Sequence, residues 1–286
     1  MTANSLDPET LADVRREIDA LDDGLHDLIM QRTRVVARVA AAKAEANGGV
    51  VGFAVRPGRE AQMLRRLHAR HTSALPFTVI ARLWREMINA KTRLQSPLSV
   101  VMADEDPRFG HEDFVRRFDL VRSHWGTATP VQRLPDMAAV IGAVSAEQGV
   151  MGVIDRHVED DWWMPLVAAR RKGQAGPFIV APVPFVLDAE TRSPVSFALG
   201  PLPPEPSGDD ITLVAVENEA AADTLKSGGL EIEAISASTG GAAGLLLEIS
   251  GFFSHEDRPF QNAGQAGAGQ MHYLGAYARP ICETGS

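Results

Sequence analysis

Residues 8 to 46 carry a helical pattern too long for the small domain that would have to bury it. Apolar residues recur at Leu11, Val14, Ile18, Leu21, Leu25, Leu28, Ile29, Val35, Val36 and Val39, the spacing of a single helix face. Asp7-Pro8 is a good start for such a helix, and Asn47-Gly48-Gly49 is a strong stop. At about 1.5 Å per residue, roughly 38 residues span nearly 57 Å. A helix this long and amphipathic packs against a second copy of itself, so the pattern predicts a dimer.

The apolar stripe is interrupted by charge. Arg32 falls within it, four residues after Leu28 and three before Val35; Lys43 extends it past Val39, and Arg15 lies beside it. A buried cation must be paired or discharged, and arginine does not discharge. No acidic residue stands on the stripe near Arg32, so the expected partner is a small anion inside the bundle. Arg32 and Lys43 are 11 residues apart. That separation puts them on one face, about 16 Å apart along the axis, where their side chains can hold two ends of one small organic anion. Arg15 is about 25 Å from Arg32 and turned by about 100°, so it serves the site of another subunit in an antiparallel dimer.

The charge balance agrees. The net charge of −9 divides into +4 over residues 1–96 and −13 over the remainder. A basic N-terminal part suits an anionic ligand. Nucleic acid is disfavoured as a partner, because the cations sit on the apolar side and the whole chain is acidic. No apolar run reaches the roughly 18 residues of a membrane span, and Met1–Thr10 lacks the basic-then-apolar order of a secretory signal, so a cytoplasmic protein is expected. The single cysteine, Cys282, excludes an internal disulfide and a Cys-rich zinc site. His111 and His157 lack a second ligand at metal spacing, so no metal and no cofactor are expected.

The expected organisation is multidomain. An all-α helical domain covers 1–96, with further helices over Pro57–Arg70 (Ala61, Leu64 and Leu67 inward) and Phe77–Gln95 (Val79, Ile80, Leu83, Met87 and Leu94 as its apolar side). An α/β region covers 97–206, with strands at Ser99–Ala103, Val150–Asp155, Phe178–Leu187 and Val195–Leu199, and helices at His111–Asp119, Asp136–Glu147 and Trp162–Arg171. Pro201–Gly208 reads as the clearest linker. Beyond it, 207–286 has the βαββαβ order of a ferredoxin-like α+β module: strand Ile211–Val216, helix Glu219–Lys226, strands Glu231–Ala237 and Leu245–Ser250, a poor helix around Gly264, Gly267 and Gly269, and strand Met271–Tyr277.

The second helix adds Arg59, a planar cation, and Glu60, an acceptor for a hydroxyl; the third ends the series Trp84, Ile88, Lys91, Gln95. Cations with one acid and one amide suit a dicarboxylate that also carries an ether or hydroxyl oxygen. The pattern Leu11-x-x-x-Arg15-x-x-Ile18-x-x-Leu21-Asp22, then Arg32, Lys43, Arg59-Glu60 and a third helix ending in Gln95, resembles the all-helical class of chorismate mutase over about residues 8–96. The resemblance implies an intertwined homodimer with Arg15 contributed across subunits, and chorismate as substrate. It implies Arg32 on a carboxylate, Lys43 and Gln95 on the ether oxygen, and Glu60 on the substrate hydroxyl. Arg59 belongs with the substrate-binding cations. Arg56 and Lys91 depart from the family pattern, which has an aspartate and a small hydroxyl residue there; both are candidate substrate-binding residues.

The remainder is similar to an eroded prephenate dehydratase followed by an ACT-like module. Ser99–Ala103 with Phe109-Gly110-His111 is similar to the first dehydratase strand and loop, without Gly-Pro-x-Gly-Ser. Gly152–Asp155 stands where Val-Pro-x-Glu-Asn is expected, and Thr191-Arg192 is followed by Ser193-Pro194 rather than Phe. Dehydratase activity is therefore not expected. Leu274–Tyr277 is similar to the last ACT strand, while Ser236–Thr239 replaces the Glu-Ser-Arg-Pro motif. Two other readings stay open. One is a lyase of the same helical fold that removes pyruvate from an isochorismate-like substrate; the other is a non-catalytic dimer whose tail binds a regulator or partner enzyme. Trp162-Trp163 is expected in the core, and Asp160-Asp161 as a helix N-cap.

Overall fold

The computed structural model describes residues 8–46, 54–104, 110–156, 161–188, 191, 193–238, 244–254, 256–260 and 270–283. Its contacts divide the chain into two compact units, Met1–Gly52 and Phe53–Ser286.

The described residues of the first unit form one helix, α1, Pro8–Ala46, with the bounds its stop and start signals predict. Its apolar stripe is open to solvent: Leu11, Ile18, Leu25 and Leu28 are 51–62% exposed. Among the described residues no helix is long and apolar enough to cross a membrane.

The second unit is built on a mixed nine-stranded sheet in the order β2-β1-β3-β6-β4-β10-β7-β9-β8. Its α/β half contains β1 (Ser99–Ala103), α4 (Gly110–Trp125), β2 (Val131–Leu134), α5 (Met137–Ala146), β3 (Val150–Asp155), α6 (Met164–Arg171), β4 (Phe178–Val183), β5 (Val186–Leu187) and β6 (Ser196–Gly200). The other half contains β7 (Asp210–Val216), α7 (Glu219–Ser227), β8 (Ile232–Ala237), β9 (Leu245–Ser250), β10 (Met271–Ala278) and β11 (Ile281–Cys282), the last pairing with β5. β1 pairs in parallel with β2 and β3. Alternation along β1 sends Val100 and Met102 to the α4 side with Phe114, Val121 and Trp125, and Val101 to the α5 side with Val140, Ile141 and Val144.

In the C-terminal half β10-β7-β9-β8 are antiparallel neighbours. They do not form a separate sheet. β10 joins β4 in parallel at Gly275 and Ile179, and this seam makes the sheet continuous. Gly275 has φ +140°, and a Cβ there would lie 2.6 Å from the Ile179 nitrogen and closer still to its carbonyl oxygen. Only glycine lets the two backbones meet.

Two further helices belong to this unit: α2 (Pro57–His68) and α3 (Phe77–Gln95). Their Ala61, Leu64, Phe77 and Ala81 share a core with Phe185, Ala278 and Ile281 of the strand-rich body. The segment expected as a linker is where α2 docks. Arg56 pairs with Glu205 at 2.8 Å, and Gly58 lets the backbone oxygen of Glu205 approach within 2.6 Å of where a Cβ would stand. Arg65 donates to Ser207 Oγ at 2.9 Å and to the carbonyls of Asp209 and Arg279 at 2.5 and 2.8 Å.

Several expectations are corrected. α3 does not bury Val79, Leu83 and Leu94, which are 41–82% exposed; it buries Phe77, Ala81, Arg85, Asn89 and Thr92. The expected strand 178–187 is two strands, broken at Pro184, whose nitrogen has no hydrogen to donate. β2 was not expected, and α4 runs on to Trp125 because Val121 and Trp125 complete its buried face. Asp161 does not cap α6, whose N-cap is Trp163; the Asp161 carboxylate accepts from Ser238 Oγ at 2.8 Å. Trp162 and Trp163 are core residues as expected, Trp162 with its ring 5.2 Å from Phe197. The helix around Gly264–Gly269, Phe109, His157, Asp160 and Arg192 lie outside the described residues, as does the side chain of His111.

Candidate functional site

The residues expected to hold the anion are divided between the two units. In α1, the unbroken helix between Arg32 and Lys43 puts the two residues on one face. Arg15 is exposed, and Arg32 is half-buried, its buried Nη1 having no hydrogen-bond partner among the described residues. Burial holds the Arg32 guanidinium below its ordinary value, as for a cation lacking its counter-ion. The side chain of Lys43 lies outside the described residues.

In the second unit, α2 separates its adjacent pair. Arg59 is exposed and donates to Gln62 Oε1 at 3.3 Å. Glu60 turns inward, where Arg85 Nη1 lies 3.4 Å from its Oε2; the side chains are only 15% and 9% exposed. Arg56 is engaged with Glu205. On α3, Lys91 is buried and Gln95, the last helical residue, is half-buried.

Arg85, Asn89 and His124 were not singled out by the sequence, and they form the polar centre of this unit. His124 Nε2 lies 3.2 Å from Arg85 Nη1, and Asn89 Nδ2 donates to the carbonyls of Arg85 and His124 at 2.9 Å each. All three residues are at most 7% exposed. Burial raises the Glu60 carboxyl, with the Arg85 charge opposing it. Burial first, and then the Arg85 charge, keeps His124 well below its ordinary range, so it is neutral at pH 7 and accepts from the guanidinium. The signal was present as the row Phe77-Ala81-Arg85-Asn89 at four-residue spacing, in which a cation and an amide continue an apolar start. A second buried cluster stands at the end of β3, where Asp155 takes Arg117 on one oxygen and Ser196 Oγ on the other.

The segment that carries α1, α2 and α3 resembles a known family. A family model described as Chorismate mutase type II covers residues 14–96. The chain is 28% identical over 151 residues to the bifunctional chorismate mutase/prephenate dehydratase of Pseudomonas aeruginosa, covering 51% of this chain and 40% of that protein. It is 28% identical over 166 residues to the protein of the same description from Stutzerimonas stutzeri, covering 54% and 44% respectively. The chain thus spans less than half the length of these curated relatives. Among solved structures, prephenate dehydratase from Streptococcus mutans overlaps 64% of this chain and 99% of its own, at 15% identity and a TM-score of 0.39. A prephenate dehydratase from Arthrobacter aurescens in complex with L-Phe overlaps 63% and 90%, at 12% identity and a TM-score of 0.40. Overlaps of that size establish no shared fold.

Proposed function

We propose that this chain is a chorismate mutase, converting chorismate to prephenate by a Claisen rearrangement for aromatic amino acid synthesis in the cytoplasm. The observation that carries the reading is that the matched segment, 14–96, contains the cations that helical spacing marks as an anion site, Arg15, Arg32 and Lys43, together with Arg59, Glu60 and Gln95, whose side chains suit the same ligand. The buried Nη1 of Arg32, without an acceptor among the described residues, supports it, since a substrate carboxylate would supply one.

The chemistry needs no covalent intermediate. The protein holds the enolpyruvyl arm over the ring and so removes orientational entropy. As the ether C–O bond breaks, negative charge grows on that oxygen, and Lys43 and Gln95 stabilise it in the transition state. Glu60 accepts the substrate hydroxyl; a carboxylate has about four lone-pair sites, and Arg85 uses one of them. Lys91 adds positive charge beside Gln95 on α3. Arg56, drawn to Glu205, has the weakest claim to the substrate.

The working form is a homodimer with Arg15 crossing to the partner's site. The exposed ridge of α1 supports this, because ten large apolar side chains there would otherwise stay in water. The strand order β10-β7-β9-β8 supports a ferredoxin-like, ACT-like module, fused to its neighbour through Gly275. We read prephenate dehydratase activity as absent, because the Gly-Pro-x-Gly-Ser and Thr-Arg-Phe segments are not preserved. Incubating the full chain with chorismate, and measuring prephenate, phenylpyruvate and pyruvate together, tests the reaction. Prephenate alone is expected; pyruvate would show a lyase, phenylpyruvate a surviving dehydratase, and no turnover a non-catalytic protein.

A further inference from the structure

Between α3, α4, residues 184–188 and Thr191 lies an open groove of about 370 Å³, within the ~300–1,000 Å³ range of small-molecule sites. Val79, Leu120, Pro184 and Val186 give it apolar walls, and Ser123 and Thr191 add hydroxyls. Two guanidiniums line it from α3, three residues apart and therefore on one side of the helix: Arg82, exposed, and Arg85, 7% exposed. Arg85 directs Nη1 to Glu60 and His124. Among the described residues none accepts from its Nε or Nη2, and none pairs with Arg82. A guanidinium offers five N–H donors, so this buried one retains capacity for a planar anion.

The lining also sets the charge of the ligand. Glu60, which lines a separate small cavity with Arg85, offsets that cation, and the exposed Asp188 adds a negative charge to the groove. His124 contributes none, being neutral. The two carboxylates offset the two guanidiniums, so the lining has no excess positive charge to hold a phosphate ester or a dicarboxylate, and a single carboxylate is held through the guanidinium N–H donors.

We propose that this groove binds a small organic monocarboxylate, its carboxylate on Arg82 and Arg85 and its apolar body along Val79, Leu120 and Val186. Arg82, Arg85 and the groove walls are not among the residues proposed for the dicarboxylate substrate, and occupancy of the groove does not depend on that reading.

The test is calorimetric titration of the full chain with benzoate and cyclohexanecarboxylate, with benzyl alcohol as the uncharged control. Saturable binding of both carboxylates is expected, with benzyl alcohol at least ~10-fold weaker. Arg82→Ala, at an exposed position, weakens benzoate by about tenfold. Val79→Trp fills the groove and abolishes binding while the thermal melting temperature stays near that of the parent. No saturable binding, equal binding of benzyl alcohol, or unchanged benzoate affinity in either Arg82→Ala or a folded Val79→Trp overturns the proposal.

Discussion

Substituting Gly275 by alanine probes the seam that turns two half-sheets into one. The residue has φ +140°, and its Cβ would stand 2.6 Å from the Ile179 nitrogen and 2.9 Å from its carbonyl carbon, where real Cβ atoms stay beyond 3.0 Å. The neighbours are backbone atoms, which no rotamer change can move aside. The backbone conformation alone costs an L residue about 1–3 kcal/mol. Prying β10 from β4 to relieve the clash disturbs packing at Ile179, Leu199, Leu213 and Leu274, all 0% exposed, at a further cost of about 1–3 kcal/mol. Gly275→Ala should therefore lose roughly 2–6 kcal/mol, a large part of the ~5–15 kcal/mol that holds a typical domain folded. Urea unfolding followed by circular dichroism measures it, with the midpoint expected to fall by about 1–2 M at ordinary slopes. A loss under about 1 kcal/mol, the size of an average surface change, would mean that β10 does not approach β4 closely and that the sheet is not continuous.

Other perturbations address the helices. His124 is held neutral in the folded protein but titrates near 6.5 when unfolded. Below that pH the unfolded chain takes up a proton that the native state refuses, so native stability is lost as pH falls from 7 towards 5. His124→Gln should flatten the stability–pH curve across that window, and a curve parallel to the parent's would refute the assignment. Leu25→Asp, at the middle of the open α1 ridge, should shift the protein from dimer to monomer in sedimentation velocity; an unchanged dimer would place the interface elsewhere. Arg65→Ala removes four hydrogen bonds to Ser207, Asp209 and Arg279, and hydrogen exchange of α2 amides should quicken before that of the central strands.

What the sequence disclosed follows from which forces are local. α1 and α3 have the bounds their proline, glycine and periodic signals predict, because caps and periods are encoded within the helix itself. β1, β3 and β9 were equally legible as short, nearly continuous apolar runs. The inward face of α3 was not. Its apolar residues marked one side, but the body presents Glu60 and His124 to the other, so a cation and an amide became the buried row. β2 escaped notice because it is a short edge strand whose Gln132 and Arg133 face solvent. Pro201–Gly208 has the composition of a linker, yet its carbonyls and Glu205 are what α2 docks on, a role set by partners distant in sequence. Gly275 was visible only as a glycine in a strand; its purpose depends on Ile179, nearly a hundred residues away. That Arg32 and Lys43 share a face of α1 was legible because helical spacing alone decides it.

The central claim rests on those cations, and Lys43 bears most directly on it. The deciding measurement is the rate of prephenate formation from chorismate by the full chain and by its Lys43→Ala variant, with kcat and KM determined separately. Loss of a group that stabilises the developing negative charge should lower kcat by about 10²–10³-fold with a much smaller change in KM. A kcat close to the parent's would contradict the reading of α1 as the mutase helix.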